Sequence, residues 1–180
     1  MKKEYEKGAE GMGQSLRVAE LTELDEHTLE ELAGLIVEVV DDGASIGFLP
    51  PLSREDAKGY WQGVLEPGTL LWVAKEGERI VGTVQLQLAQ KQNASHRAEI
   101  AKMMVQPQQR RKGIARLLMQ AAEERAVAEQ RSLLILDTLE GAPSNILYQS
   151  LGFMEAGRIP KFARSGDGNL YATVLYYKEI

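Results

Sequence analysis

Residues 97–137 hold a strand, a helix and a second strand in succession, and that order leaves few folds open. Residues 97–105 form the first strand, ending before Pro107. Ile114, Leu117, Leu118, Ala121 and Ala122 recur at helical spacing and predict a helix over 112–130 with one apolar stripe. Residues 133–137 are short and almost continuously apolar, which predicts a strand buried on both faces. A strand, a crossover helix and a strand make a parallel pair joined by a right-handed connection.

The flanking segments are of a different kind. A first strand is read at 16–20. A helix follows over 25–40, capped by Asp25, with Leu29, Leu32, Ala33, Ile36 and Val40 on one face. Residues 41–52 form a loop with two glycines and two prolines. Ser53 then caps a second helix, over 54–65, stopped by Pro67-Gly68. Residues 70–75 and 80–89 flank the turn Glu76-Gly77-Glu78-Arg79 as a hairpin, and the strand at 97–105 pairs with the second of these. A short helix over 145–151 ends at Gly152, and 153–164 and 171–178 close the chain as an antiparallel pair around Ser165-Gly166-Asp167-Gly168. The expectation is one α/β (α+β) domain over 15–180, preceded by a mobile tail over 1–14.

The chemistry concentrates between the first strand of the parallel unit and its helix, at Arg110-Arg111-Lys112-Gly113-Ile114-Ala115. A helix start carries amides without intrahelical partners, and its dipole favours an anion. Gly113 lets backbone approach that anion closely. The segment is neither a Walker A loop nor a Rossmann fingerprint, since it has neither glycine pattern. Read without context, it is equally well a solvated basic turn.

Bulk properties narrow the function. The chain has 180 residues and a net charge of −5, so one basic spot makes no general nucleic-acid footprint. No apolar run approaches the ~20 residues of a membrane span, and residues 1–14 lack the apolar centre of a secretory signal. A cytoplasmic location is the expectation. There is no cysteine, which excludes disulfides, thiolate metal sites and a cysteine nucleophile. His27 and His96 are too few and too far apart to suggest zinc, so no metal is expected.

Val105-x-Pro107 followed by Arg110-x-x-Gly113-x-Ala115 resembles the Arg/Gln-x-x-Gly-x-Gly/Ala motif of the GCN5-related N-acetyltransferase (GNAT) superfamily. The element order resembles that fold over essentially the whole chain. Leu147-Tyr148 and Leu151-Gly152-Phe153 are similar to its second signature segment. His96-Arg97-Ala98-Glu99-Ile100, Leu136-Asp137-Thr138, Ile159-Pro160, Asp167-Gly168 and Tyr177-Lys178 resemble the tabtoxin-resistance type, enzymes that acetylate a small amino-acid-like antibiotic. Substrate does not transfer with such signatures.

The resemblance implies a mixed, mostly antiparallel central sheet of six or seven strands with a splayed parallel pair, flanked by about four helices. It implies acetyl-coenzyme A as co-substrate and direct attack by a primary amine of a small molecule in a ternary complex. A non-catalytic acyl-coenzyme A sensor and a protein or peptide amine acetyltransferase are the alternatives. By resemblance, the backbone of Met103, Met104 and Val105 pairs with the pantetheine arm, and one N–H there binds the thioester oxygen. The amides of Arg111, Lys112, Gly113, Ile114 and Ala115 hold the pyrophosphate beside the Arg110 side chain. Lys112 faces either a phosphate or solvent. Asn145 bonds the cofactor, and Tyr148 is the general acid. Glu99 and Asp137 share the work of general base and ammonium site, with the division between them open. His96 is a weaker candidate base. Asp42, Ser45 and Phe48, in the loop at 41–52, are candidate substrate contacts. The C-terminal strands are candidates for pairing two copies into a homodimer.

Overall fold

The computed structural model describes residues 5–7 and 16–180. In chain order the elements are β1 (Tyr5–Lys7), β2 (Leu16–Leu21), α1 (Glu26–Asp41), α2 (Arg54–Gln62), β3 (Thr69–Glu76), β4 (Arg79–Leu88), β5 (Arg97–Val105), α3 (Ile114–Ala128), β6 (Leu133–Leu139), α4 (Ser144–Ser150), β7 (Met154–Arg164) and β8 (Leu170–Glu179). The strands form one sheet in the order β1-β2-β3-β4-β5-β6-β8-β7. Among the described strands only β5 and β6 run parallel. This is the splayed mixed sheet with four helices that the sequence implied. Strand β1 is additional, pairing antiparallel with β2 through Tyr5 opposite Val18. The rest of the tail expected over 1–14 lies outside the described residues.

Local chemistry sets the helix starts. The Asp25 carboxylate accepts from the Thr28 amide at 2.8 Å, and the Ser53 hydroxyl accepts from the Asp56 amide at 3.0 Å. Helices α2 and α3 are shorter than the periodicity suggests. Gly63 closes α2 after Gln62. At the start of α3, Gly113 has φ +86°, a left-handed backbone that cannot belong to the helix, so the helix begins at Ile114 rather than at Lys112.

Each face of the sheet has its own core. On one face α3 buries Leu118, Met119 and Ala122 against Val84, Leu86, Ala98, Ile100, Leu134 and Leu136. On the other, α1 and α2 bury Leu32, Ile36, Val39 and Trp61 against Leu71, Val73, Ile80 and Met104. Helices α1 and α2 cover β3 to β5 and stop there. Strand β6 is therefore not buried on both faces as expected: Leu134 and Leu136 are buried, Leu133 and Ile135 only partly, and Asp137 is exposed. That uncovered half of the sheet is the floor of a cleft.

Gly82 on β4 fixes how closely α3 sits. A Cβ there would lie 2.9 Å from the Met104 carbonyl oxygen and 3.1 Å from Ile114 Cγ2, so the first turn of α3 rests directly on β4 backbone.

Candidate functional site

Strand β5 delivers the chain to a tight turn. The Gln106 amide donates to the Val81 carbonyl at 2.9 Å, and a short 3-10 turn, Pro107–Gln109, follows. Arg111 then takes φ +67° and Gly113 φ +86°. Left-handed residues at these two positions turn successive amides toward one side, the geometry of an anion nest. The first bond of α3 runs from the Leu117 amide to the Gly113 carbonyl at 3.2 Å. The amides of Arg111, Lys112, Gly113, Ile114, Ala115 and Arg116 have no acceptor among the described residues. These unpartnered donors sit at the positive end of a helix of 15 residues and fit a pyrophosphate.

The side chains around the turn divide. Arg110 pairs with Asp42 at 2.6 Å, and its Nε reaches the Val105 carbonyl at 3.4 Å. Lys112 donates to the Gln109 side chain. The Arg111 side chain is exposed and makes no ion pair among the described residues. Asp42, expected against the substrate, is held at this turn, where it anchors Arg110.

Beside this turn the sheet comes apart. β5 and β6 pair only through Arg97, Ala98 and Glu99, opposite Leu133, Leu134 and Ile135. Beyond Glu99, β5 keeps its bonds to β4 but has no partner on the β6 side. The parting coincides with a bulge: Lys102 and Met103 together face Val84, and Lys102 has φ +48°. The open edge carries Met103, Met104 and Val105. Their side chains pack, Met104 under α1 and α2 and Met103 on the α3 side, leaving the backbone for a ligand.

Strand alternation distributes the titratable groups. Ala98 and Ile100 point to the α3 core, so Glu99 points to the opposite face. Leu134 and Leu136 likewise put Asp137 on Glu99's face, two residues beyond Glu99's partner Ile135. Burial, aided by the Asp137 charge, raises the Glu99 pKa, with Arg97 and Lys102 opposing. The Asp137 carboxylate accepts from the Thr173 hydroxyl at 2.8 Å, which fixes its orientation.

Tyr148 comes from the other face. It is buried against Phe153 and Tyr176. Burial first, and then Asp137, push its phenol well above the usual range. Its hydroxyl has no protein partner among the described residues, yet it is not among the buried polar atoms lacking one, so it touches solvent. Asn145 is spoken for: its Nδ2 donates to the Leu139 and Ala142 carbonyls, both at 2.8 Å, and its Oδ1 accepts from the Tyr176 hydroxyl at 3.0 Å. It braces the β6–α4 turn beneath Tyr148, with no amide hydrogen to spare for a cofactor.

The remaining wall is the connection over residues 42–53. Phe48 stacks edge-on with Tyr60 at 5.2 Å, and both rings flank the Lys102 ammonium. Ser45, Leu49 and Pro50 meet Arg164, Ser165 and Gly166 of the β7–β8 turn in a shallow recess. A Cβ on Gly166 would lie 2.7 Å from Pro50 Cγ. The two loops therefore touch, the first beside Lys102 of β5 and the second at the end of the β7–β8 pair that continues the sheet past β6. His96 lies exposed just before β5, below the three paired residues, away from the open edge. Lys102, Tyr60 and Thr173 stand beside these candidate groups and were not singled out from the sequence. A lysine inside the apolar run from Ile100 to Val105 was the available signal.

One consequence concerns stability. Because the Glu99 pKa is raised on folding, its contribution is intact below the unfolded value, ~4.3, and is lost as pH rises through the folded value. Glu99→Gln is expected to melt above wild type at neutral pH and together with it below pH ~4, as scanning calorimetry at both pH values would read.

Comparison with known proteins gives one consistent result. The Acetyltransferase (GNAT) family matches residues 36–153. An uncharacterized N-acetyltransferase of the hisH-hisA intergenic region of Azospirillum brasilense is 34% identical over 115 residues, 62% of this chain and 68% of that relative. The ribosomal-protein-alanine N-acetyltransferase of Brucella melitensis superposes with a TM-score of 0.73 at 20% identity, over 87% of this chain and 97% of that one. The Salmonella typhimurium protein yncA, solved with its cofactor acetyl-CoA, gives a TM-score of 0.73 at 15% identity, over 90% and 93%.

Proposed function

The chain belongs to the GNAT acetyltransferase family and is an acetyl-CoA-dependent N-acetyltransferase, and from that premise we propose that it acetylates the primary amine of a small molecule by direct attack in a ternary complex. The observation that carries this reading is the parting of β5 from β6, with Glu99 and Asp137 on one face of the gap and Tyr148 on the other. Acetyl-coenzyme A supplies an activated acetyl thioester.

The chain's own groups have distinct tasks. The amides of Arg111, Lys112, Gly113, Ile114 and Ala115 hold the pyrophosphate, with Arg110 fixed beside them by Asp42. The edge at Met103, Met104 and Val105 pairs with the pantetheine arm as an added strand, and one amide there donates to the thioester oxygen. An acceptor amine is charged at neutral pH, with a pKa of ~8–10. The carboxylates of Glu99 and Asp137 hold the ammonium, and one of them removes its proton. The amine nitrogen then bonds the acetyl carbon as the carbon–sulfur bond breaks; Tyr148 gives its proton to the sulfur, and the second proton lost by the nitrogen restores the phenol. The burial that raises the Tyr148 phenol also destabilises a thiolate beside it, so burial does not by itself oppose that transfer.

The contact of Pro50 with Gly166 favours a small acceptor, because an extended peptide would have to pass beneath the joined loops. The direct test is free-thiol release from acetyl-coenzyme A with amino acids, aminoglycosides, polyamines and lysine peptides. Stimulation by a small amine supports the reading. Stimulation by peptides alone, or tight cofactor binding without transfer to any acceptor, would overturn it. Tyr148→Phe is expected to lower kcat about 10²-fold or more while weakening acetyl-coenzyme A binding far less, which stopped-flow and calorimetry separate.

A further inference from the structure

Lys102 is a charged group of the cleft that the acetyl transfer described above leaves without a task. Its position is unusual. It occupies the bulge of β5 with left-handed φ +48°, at the residue where the two parallel strands have just parted. A lysine gains nothing locally from that backbone, since left-handed φ costs an ordinary side chain roughly 1–2 kcal/mol. The bulge turns it onto the face of Glu99 and Asp137.

The ammonium is half-buried between two rings, 6.0 Å from the Phe48 centroid and 5.8 Å from that of Tyr60. Gly47 closes another side, where a Cβ would lie 3.5 Å from Nζ. No hydrogen bond or ion pair reaches Nζ among the described residues. Two other partly covered lysines are satisfied, Lys58 by Glu26 and Glu30 and Lys178 by Glu123 at 2.6 Å. Burial holds the Lys102 pKa below its ordinary value, and the charges of Asp137 and Glu99 offset this only in part. Taking a cation out of water without a counter-ion is costly, and an anion arriving with a ligand relieves that cost.

Resting on the acetyl-transfer reading, we propose that Lys102 is a specificity-determining residue that binds a carboxylate on the acceptor. The acceptor is then an amino acid or a close analogue. Its ammonium lies toward Glu99 and Asp137, and its carboxylate meets Lys102 between Phe48 and Tyr60. The cleft presents two negative groups and one positive group in a small space, a pattern complementary to a zwitterion. A polyamine would set a positive charge against Lys102.

The test compares acids with their own decarboxylation products: L-phenylalanine with phenethylamine, L-histidine with histamine, L-arginine with agmatine and L-lysine with cadaverine. Thiol release is followed at saturating acetyl-coenzyme A. In wild type, kcat/KM is expected to favour the acid of at least one pair about tenfold or more, the size of a hydrogen bond to a charged group. In Lys102→Gln that ratio falls toward one through KM, and in Lys102→Arg most of it returns. Glutamine and arginine are unbranched like lysine, so the left-handed backbone is equally strained in all three. The acetyl-coenzyme A Kd of each variant reports its fold. Wild type preferring the amines, or a preference that survives Lys102→Gln, would overturn the proposal and leave amine acetylation standing. Cofactor binding without transfer to any member of the panel would overturn the acetyl-transfer reading itself.

Discussion

Glu99→Gln and Asp137→Asn are each expected to lower turnover about 10²–10⁴-fold, with the deficit narrowing as pH approaches the acceptor's own pKa. The carboxylates replace a function that solvent provides only when the amine is already neutral. At pH 6 to 7 an amine of pKa ~9 is almost wholly protonated, and a residue must take that proton. The raised pKa of Glu99 moves it toward the range where a base is effective, and its causes are burial and the neighbouring Asp137. The rising limb of wild-type kcat/KM should therefore lie above the pH at which an ordinary glutamate ionises. The two variants need not be equal. The one that loses the limb identifies the base, and the one that raises KM identifies the ammonium site. Steady-state rates from pH 5 to 9 make the distinction, and unchanged rates in both would remove both assignments.

Gly113→Val is expected to weaken acetyl-coenzyme A binding about 10-fold or more by calorimetry, with little change in melting temperature. A β-branched residue resists φ +86°, at roughly 1–2 kcal/mol or more. If the turn relaxes to escape that strain, the amides of Arg111, Lys112, Ile114 and Ala115 no longer point together. Gly113 is exposed, so the core does not depend on it. Gly113→Ala should show a smaller loss in the same direction, because alanine tolerates the left-handed region better than valine. Undiminished affinity in both would mean that the phosphate is held elsewhere.

What could be read from the sequence is what short-range rules govern. Asp25 and Ser53 announced helix starts, and Gly77 with Glu78 announced a hairpin. Gly113 beside three basic residues marked the turn, though the left-handed Arg111 within it was not marked. Contacts between distant segments had no local signature. Asp42 pairs with Arg110 across 68 positions, and no periodicity connects them. Asn145 is engaged by Tyr176 and by its own turn, which only the folded chain decides. The bulge at Lys102 escaped because a strand run does not announce where it carries an extra residue. Strand β6 misled for a related reason: its apolar composition suggested cover on both faces, but α1 and α2 end at β5.

The three-residue seam between β5 and β6 bears on how the molecule folds as well as on what it binds. Two neighbouring parallel strands, one with a bare row of peptide groups, have every reason to keep zipping. Completing the ladder would add backbone bonds and erase the cleft. The left-handed residue at 102 interrupts the regular spacing those bonds require. It acts as a stop in the zipper, so the empty protein keeps a gap that its own backbone would otherwise consume. The cleft exists because the sheet is kept from finishing itself.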